Sequence, residues 1–249
     1  MFTNTKALVL REVRYKEADR ILTLLTDTDG KVTANARGAL RRGSRIAAAT
    51  QQLTFSEMTL FGNRDKYTVN EASVVEPFTL LRTDMPNYAL GCYFAECAEA
   101  MAVEDQPDAP LLQLTLNSLY ALSNSLCPPE KIKAVFELRL MCVEGYEPDF
   151  SACTVCGAEE PEEPLLCLEN GCVCCRKCKK PSMGETVRLT EEALKALSYV
   201  VTAPAKQIFS FTIDSEGQES MSRACEEYFL RHSARSYGTL DYWKKINIK

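Results

Sequence analysis

ADRILTLLTDTDGKVTANARG, residues 18–38, decides how the first part of this chain folds. Two β-prone runs, Ala18–Thr26 and Lys31–Gly38, flank Asp27-Thr28-Asp29-Gly30, whose Asp-Gly end suits the positive φ of a hairpin turn. Working outward, further strands are expected at Ala7–Arg14, Leu53–Phe61 and Lys66–Val75. In LTFSEMTLFG the apolar residues change from odd positions (Leu53, Phe55) to even ones (Met58, Leu60), as a bulge or a corner requires. Five short strands with a bulge point to a small closed barrel, of which the OB-fold is the most economical example. Pattern alone leaves an SH3-like barrel open.

After Pro86 the period becomes helical. Leu90, Phe94, Cys97 and Met101 form one stripe, Leu112, Leu116 and Leu119 a second, and Ile132, Val135, Phe136, Leu140 and Val143 a third. Pro128 and Pro129 sit where a helix begins and Gly145 where one ends. Thr190 is placed to cap a helix with an acidic first turn, Glu191 and Glu192, and another helix is expected over Met221–His232.

Between these helices lies CTVCGAEEPEEPLLCLENGCVCCRKC, residues 153–178, with seven of the twelve cysteines in the 249-residue chain. Compartment decides which thiol chemistry applies. The longest apolar run near the N-terminus, Ala7–Leu10, is shorter than the about 7–15 residues of a signal-peptide core, and nothing approaches the ~20 residues of a membrane span. The chain is therefore read as soluble and cytoplasmic, with no membrane partner, where thiols stay reduced and clustered cysteines bind metal more often than they form bridges. Cys153-x2-Cys156 and Cys175-x2-Cys178 lie eighteen residues apart, a recognised zinc spacing in which two tight knuckles close a tetrahedron. A dithiol redox site and unliganded thiols remain as alternatives. Cys172 or Cys174 could replace Cys175 with an altered loop, although paired spacing favours the outer knuckles. With four thiolates the site is closed, hence structural. A catalytic zinc needs an open position and usually histidine, and the one histidine, His232, lies on a helix far along the chain.

The charge is unevenly spread. Net charge is −5, but residues 1–50 carry ten Lys/Arg against five Asp/Glu, so a basic front precedes an acidic body. The run ARGALRRGSR, residues 36–45, interleaves Arg37, Arg41, Arg42 and Arg45 with Gly38 and Gly43, letting backbone approach a partner while guanidiniums reach phosphate. A solvated surface loop is the bland alternative. On a small barrel such a run suits a basic groove for single strands, which Lys16, Arg64 and Lys66 extend. Tyr67 and Phe61 offer stacking surfaces there, or else belong to the core.

This order of parts resembles the RecO family of bacterial DNA-repair mediators. The resemblance rests on TKALVLREVRYKEADRILTLLT, on GKVTANARGALRRGS, on Tyr67-Thr68, on the helices and on the C-x2-CG…G-x3-C-x2-C finger, with Glu17, Asp19, Gly30, Lys31, Gly38, Arg41, Arg42 and Ser44 as its most specific positions. Cys172 departs from it by standing where the family pattern has a second glycine. The resemblance implies an α+β multidomain chain: an N-terminal OB-fold barrel binding DNA (1–80), a helical domain (81–150) interrupted by a four-cysteine zinc finger (151–183), and C-terminal helices packing on that domain (184–249). It further implies binding to single- and double-stranded DNA, strand annealing, contact with the tail of the single-stranded-DNA-binding protein, and work with RecR to load RecA on the nucleoid, without catalysis. A protein-binding scaffold and a zinc or thiol enzyme are the competing readings, the latter resting on Arg176 and Lys177 beside Cys175.

Overall fold

Period-two alternation builds the first five strands. The computed structural model describes residues 1–63 and 66–247. β1 (Phe2–Tyr15), β2 (Asp19–Thr26), β3 (Gly30–Ala36), β4 (Phe55–Asn63) and β5 (Lys66–Glu76) close into a barrel in the order β1-β2-β3-β5-β4. All neighbours are antiparallel except β3 and β5, which pair in parallel through Ala34↔Tyr67 and Asn35↔Thr68. That connectivity is the five-stranded Greek-key barrel of the OB-fold, so the SH3-like alternative falls away. The expected break in β4 is present, as register shifts at Phe55/Ser56 and Thr59/Leu60. Inside the barrel pack Ala7, Val9, Leu22, Leu24, Val32, Ala34, Met58, Leu60, Tyr67 and Val69.

The turn at 27–29 uses Gly30 for two reasons. Its φ is 65°, and a Cβ there would stand 2.1 Å from the Gln106 carbonyl oxygen, because the segment around Glu104 bridges onto the edge of β3. The edge strand is thereby covered.

Six α-helices follow among the described residues: α1 (Met85–Met101), α2 (Ala109–Ser123), α3 (Pro129–Val143), α4 (Glu191–Thr202), α5 (Ser215–Ser233) and α6 (Gly238–Ile246). Asp84, Asp108, Thr190 and Asp214 cap α1, α2, α4 and α5 through side-chain acceptors. Leu111, Leu112, Leu114, Leu119 and Leu122 of α2 are all buried. The helix is thus buried on most of its circumference, beyond the single stripe of Leu112, Leu116 and Leu119.

The chain divides into two compact units, Met1–Asn124 with Tyr237–Lys249, and Ser125–Ser236. In the first, α1 packs on β1 and on α6, with Tyr93 edge-on to Tyr237 at 5.7 Å and Trp243 buried. In the second, α3, α4 and α5 pack together with the finger. Lys133, 3% exposed, pairs with Glu137 and Glu226 at 2.8 Å each. Burial works against its charge, but the two carboxylates prevail and raise its pKa. Lys131 sends its ammonium to the carbonyls of Phe209 and Phe211, holding the segment between α4 and α5.

Candidate nucleic-acid interface and metal centre

The loop leaving β3 carries the arginine run. Arg37, Arg41, Arg42 and Arg45 are all exposed, and none has an ion pair or hydrogen bond from its side chain to another described residue. Local hydrogen bonds shape the loop: Arg41 N–H to the Gly38 carbonyl (3.1 Å) and Ser44 N–H to the Arg41 carbonyl (3.1 Å). Two further bonds tie it to the β1–β2 turn, Leu40 N–H to the Ala18 carbonyl (2.9 Å) and Gly38 N–H to Asp19 Oδ1 (2.8 Å). Lys16 sits in that turn with φ 53°, exposed, its ammonium 5.3 Å above the Tyr15 ring. The parallel pairing Ala34↔Tyr67 brings the start of β5, which Lys66 opens, beside the end of β3. Arg64 lies outside the described residues. Three segments bearing the expected basic residues therefore meet at one end of the barrel.

Arg20 has a different role from its basic neighbours. It shares the inward face of β2 with Leu22 and Leu24, is 9% exposed, and donates to the Ala47 carbonyl (2.8 Å) and Thr50 Oγ1 (2.9 Å) while facing Glu12 at 3.4 Å. It plugs the open end of the barrel and fastens the arginine loop over it. Of the two aromatics, Tyr67 is core, 7% exposed, whereas Phe61 points outward.

In the second unit, β6 (Leu165–Cys167), β7 (Cys172–Cys174) and β8 (Thr186–Arg188) form a small sheet in the order β7-β6-β8. The Sγ atoms of Cys153, Cys156, Cys175 and Cys178 all lie within 4.8 Å of one another. Cys156 and Cys175 stand 3.8 Å apart. A zinc ion about 2.3 Å from each of four thiolates requires edges of about 3.8 Å, so the donor set fits a closed tetrahedral metal. Gly157, φ 72°, completes the first knuckle by donating its N–H to the Cys153 carbonyl (2.8 Å). Burial opposes ionisation of Cys153, but backbone N–H groups of Cys156, Cys175 and Val155 bring its pKa down to about 6. Burial, then the sulfurs of Cys156 and Cys153, push Cys178 the other way. Four thiols this close shed their protons together only when a cation takes their charge.

Cys167 and Cys174 are outside the convergent four but pack beside Cys153 and Cys175 in the hairpin core, sulfur to sulfur at 3.9 Å. Arg176 and Lys177 are taken up by Glu163 (2.9 Å) and Glu162 (2.8 Å). His232 Nε2 donates to the Leu168 carbonyl (2.8 Å) between the rings of Tyr146 and Tyr228, away from the metal cluster.

The profile described as "Recombination protein O N terminal" matches residues 1–78, and "Recombination protein O C terminal" matches residues 82–241. The chain belongs to the Recombination protein O family. Curated RecO relatives include the "DNA repair protein RecO" of Acetivibrio thermocellus, 34% identical over 99% of this chain and 98% of that protein. Those of Symbiobacterium thermophilum (32% identical, 93% and 92% covered) and Listeria monocytogenes (27% identical, 92% and 88% covered) carry the same name. Several positions that carried the resemblance to RecO have physical work here: Asp19 and Gly38 form the clamp on the arginine loop, Gly30 admits the covering segment, and Lys31 Nζ reaches the Glu99 carbonyl at 3.0 Å. No helix among the described residues is long and apolar enough to cross a membrane.

Proposed function

We propose that this chain is a DNA-binding recombination mediator of DNA repair. Its barrel, residues 1–80, binds single- and double-stranded DNA, with Arg37, Arg41, Arg42, Arg45 and Lys16 on phosphates and Arg64 and Lys66 extending the path. It anneals complementary strands, contacts the C-terminal tail of the single-stranded-DNA-binding protein, and with RecR helps RecA load on coated strands in the cytoplasm, at the nucleoid. One observation carries the reading: a chain of net charge −5 keeps four exposed arginines, unpaired among the described residues, on one clamped loop of an OB barrel. A polyanion is attracted to such a protein only where positive charge is focused.

The metal is zinc, one per chain on Cys153, Cys156, Cys175 and Cys178, and it supplies folding free energy. Four thiolates leave it no open position for a substrate. The neutralised Arg176 and Lys177 deprive the neighbouring thiols of the electropositive setting that reactive cysteines use, which favours a non-enzymatic protein.

Fluorescence-monitored annealing of complementary strands, bare and coated with the single-stranded-DNA-binding protein, tests this function. Acceleration on both is expected. A well-folded protein that accelerates neither refutes the mediator reading and leaves the scaffold.

A further inference from the structure

Phe2 and Phe61 form an exposed aromatic pair, centroids 4.9 Å apart and planes tilted 46°, with 60% and 50% of their surfaces open. Large apolar side chains in contact yet both open to solvent are not core, and they invite a partner. Strand registers show where the pair leads. Phe2 pairs with Phe61, Phe61 with Thr68, Thr68 with Asn35, Asn35 with Ile21, and Ile21 with Val13. Inward parity belongs to Leu60, Tyr67, Ala34 and Leu22, so the six form one row across the outer face of the barrel. No charged side chain interrupts it.

Charge lies unevenly on the two sides of this row. Toward the barrel end stand Arg37, two residues beyond Asn35, and the clamped arginine loop. Away from it, on the same face, Glu71 faces Thr59 and Glu57 faces Lys6, one and two rows further on, while Arg11 is paired with Glu99 and Lys31 is bonded to the Glu99 carbonyl. The unpaired cations thus lie on the loop side, a phosphate backbone is drawn there, and bases attached to it turn over the row. The two rings together offer about 200 Å², far below the ~800 Å² per partner that a stable protein interface needs, so a second copy or a folded protein is a poorer occupant.

We infer that this uncharged row is a base-binding track for single strands, with the Phe2–Phe61 pair as its stacking platform. The inference rests on the proposed DNA-binding function and adds what the arginines do not supply, a preference for unpaired bases. Stacking is tolerant of sequence because every base has a π-face. Duplex DNA, whose bases are already stacked, gains nothing from it.

The test uses the full-length protein and fluorescence anisotropy with an oligothymidylate and an abasic oligomer of equal length and charge. One stacked base strengthens binding roughly 5- to 150-fold, so the abasic strand should bind that much more weakly. Phe2→Ala and Phe61→Ala should bring oligothymidylate down toward the abasic value with the salt slope unchanged, and Phe61→Tyr should restore it. Equal binding of the two strands by the parent, or alanine variants that bind oligothymidylate like the parent, would overturn the track while leaving the arginine contacts intact. Binding of neither strand would overturn the DNA-binding function as well. Should Phe2→Ala instead dissolve a self-associated species in sedimentation without altering strand affinity, the pair is a contact between copies and the inference fails.

Discussion

Replacing Arg41 and Arg42 together by alanine separates a phosphate-binding loop from a merely solvated one. Both side chains are exposed and make no ion pair or hydrogen bond with another described residue, so the substitution removes charge while leaving the loop's backbone hydrogen bonds in place. Each phosphate neutralised on a single strand contributes about −0.7 to the slope of log K against log salt. If Arg37, Arg41, Arg42 and Arg45 each engage one phosphate, their joint share is about −2.8, and a fourfold rise in salt weakens their contribution about 50-fold. In the double variant the share falls to about −1.4, and the same rise costs about 7-fold. Because phosphates carry no base information, the loss should be alike on different sequences. Arg20→Met is the control, since it removes a guanidinium from the same end of the barrel, one charge against two, but from the inward face. Without that guanidinium the loop loses its bonds to the Ala47 carbonyl and Thr50, a cost of about 1.5–3 kcal/mol in stability, while the slope stays put. A folded Arg41→Ala/Arg42→Ala protein with the parental slope, in a salt titration on unstructured strands, would refute the assignment and move the DNA path elsewhere.

Four further outcomes are expected. Cys153→Ser or Cys178→Ser, or chelation of the parent, should abolish stoichiometric metal and lower the melting temperature before strand affinity changes, since apparent zinc-binding free energies of about 10–16 kcal/mol rival the stability of a domain; a metal-free protein melting like the parent would contradict this. Cys167→Ser, outside the four-sulfur group, should retain its metal by elemental analysis. Gly30→Ala should destabilise well beyond the about 1–2 kcal/mol of a left-handed residue because its Cβ meets the Gln106 carbonyl, whereas Gly43→Ala, with open space around it, should cost only the conformational part, and equal melting of the two variants would show that the close approach is not rigid. Lys133→Met should cost about 3–5 kcal/mol in denaturant unfolding by stranding Glu137 in the core, and Lys133→Met/Glu137→Leu should recover much of it; no recovery would mean that the ion pair is not what the single variant loses.

Much of this is legible in the sequence. Alternation located five strands within a few residues, and cysteine spacing selected the four thiols that converge. Parity carried further than composition here: Arg20 reads as one more cation of a basic front, yet it shares a face with Leu22 and Leu24, and that shared face marks it as the plug. The same parity, set by Met58 and Leu60, sends Phe61 outward. Phe2 gave no sign, because it lies before the first recognisable alternation and gains meaning only from its pairing with β4. Within the stretch 184–249, expected to form helices on the helical domain, α6 leaves no stripe of its own, with Leu240 and Trp243 its only buried residues and its partners on α1 some 140 positions earlier. Contacts that distant in sequence leave no local pattern.

That helix makes the order of synthesis matter. Unit one begins with the first residues of the chain but is finished only when Tyr237 reaches Tyr93 and Thr239 reaches the Glu96 carboxylate, after the whole of Ser125–Ser236 has been made. At about 5–20 residues per second that interval is about 6–22 seconds, during which the continuous second unit can fold while α1, already packed on β1 and α2, still lacks its α6 cover. A nascent chain arrested before Tyr237 should therefore offer the α6-facing side of α1 to proteases and chaperones, and that face is closed only once Gly238–Ile246 has emerged from the ribosome.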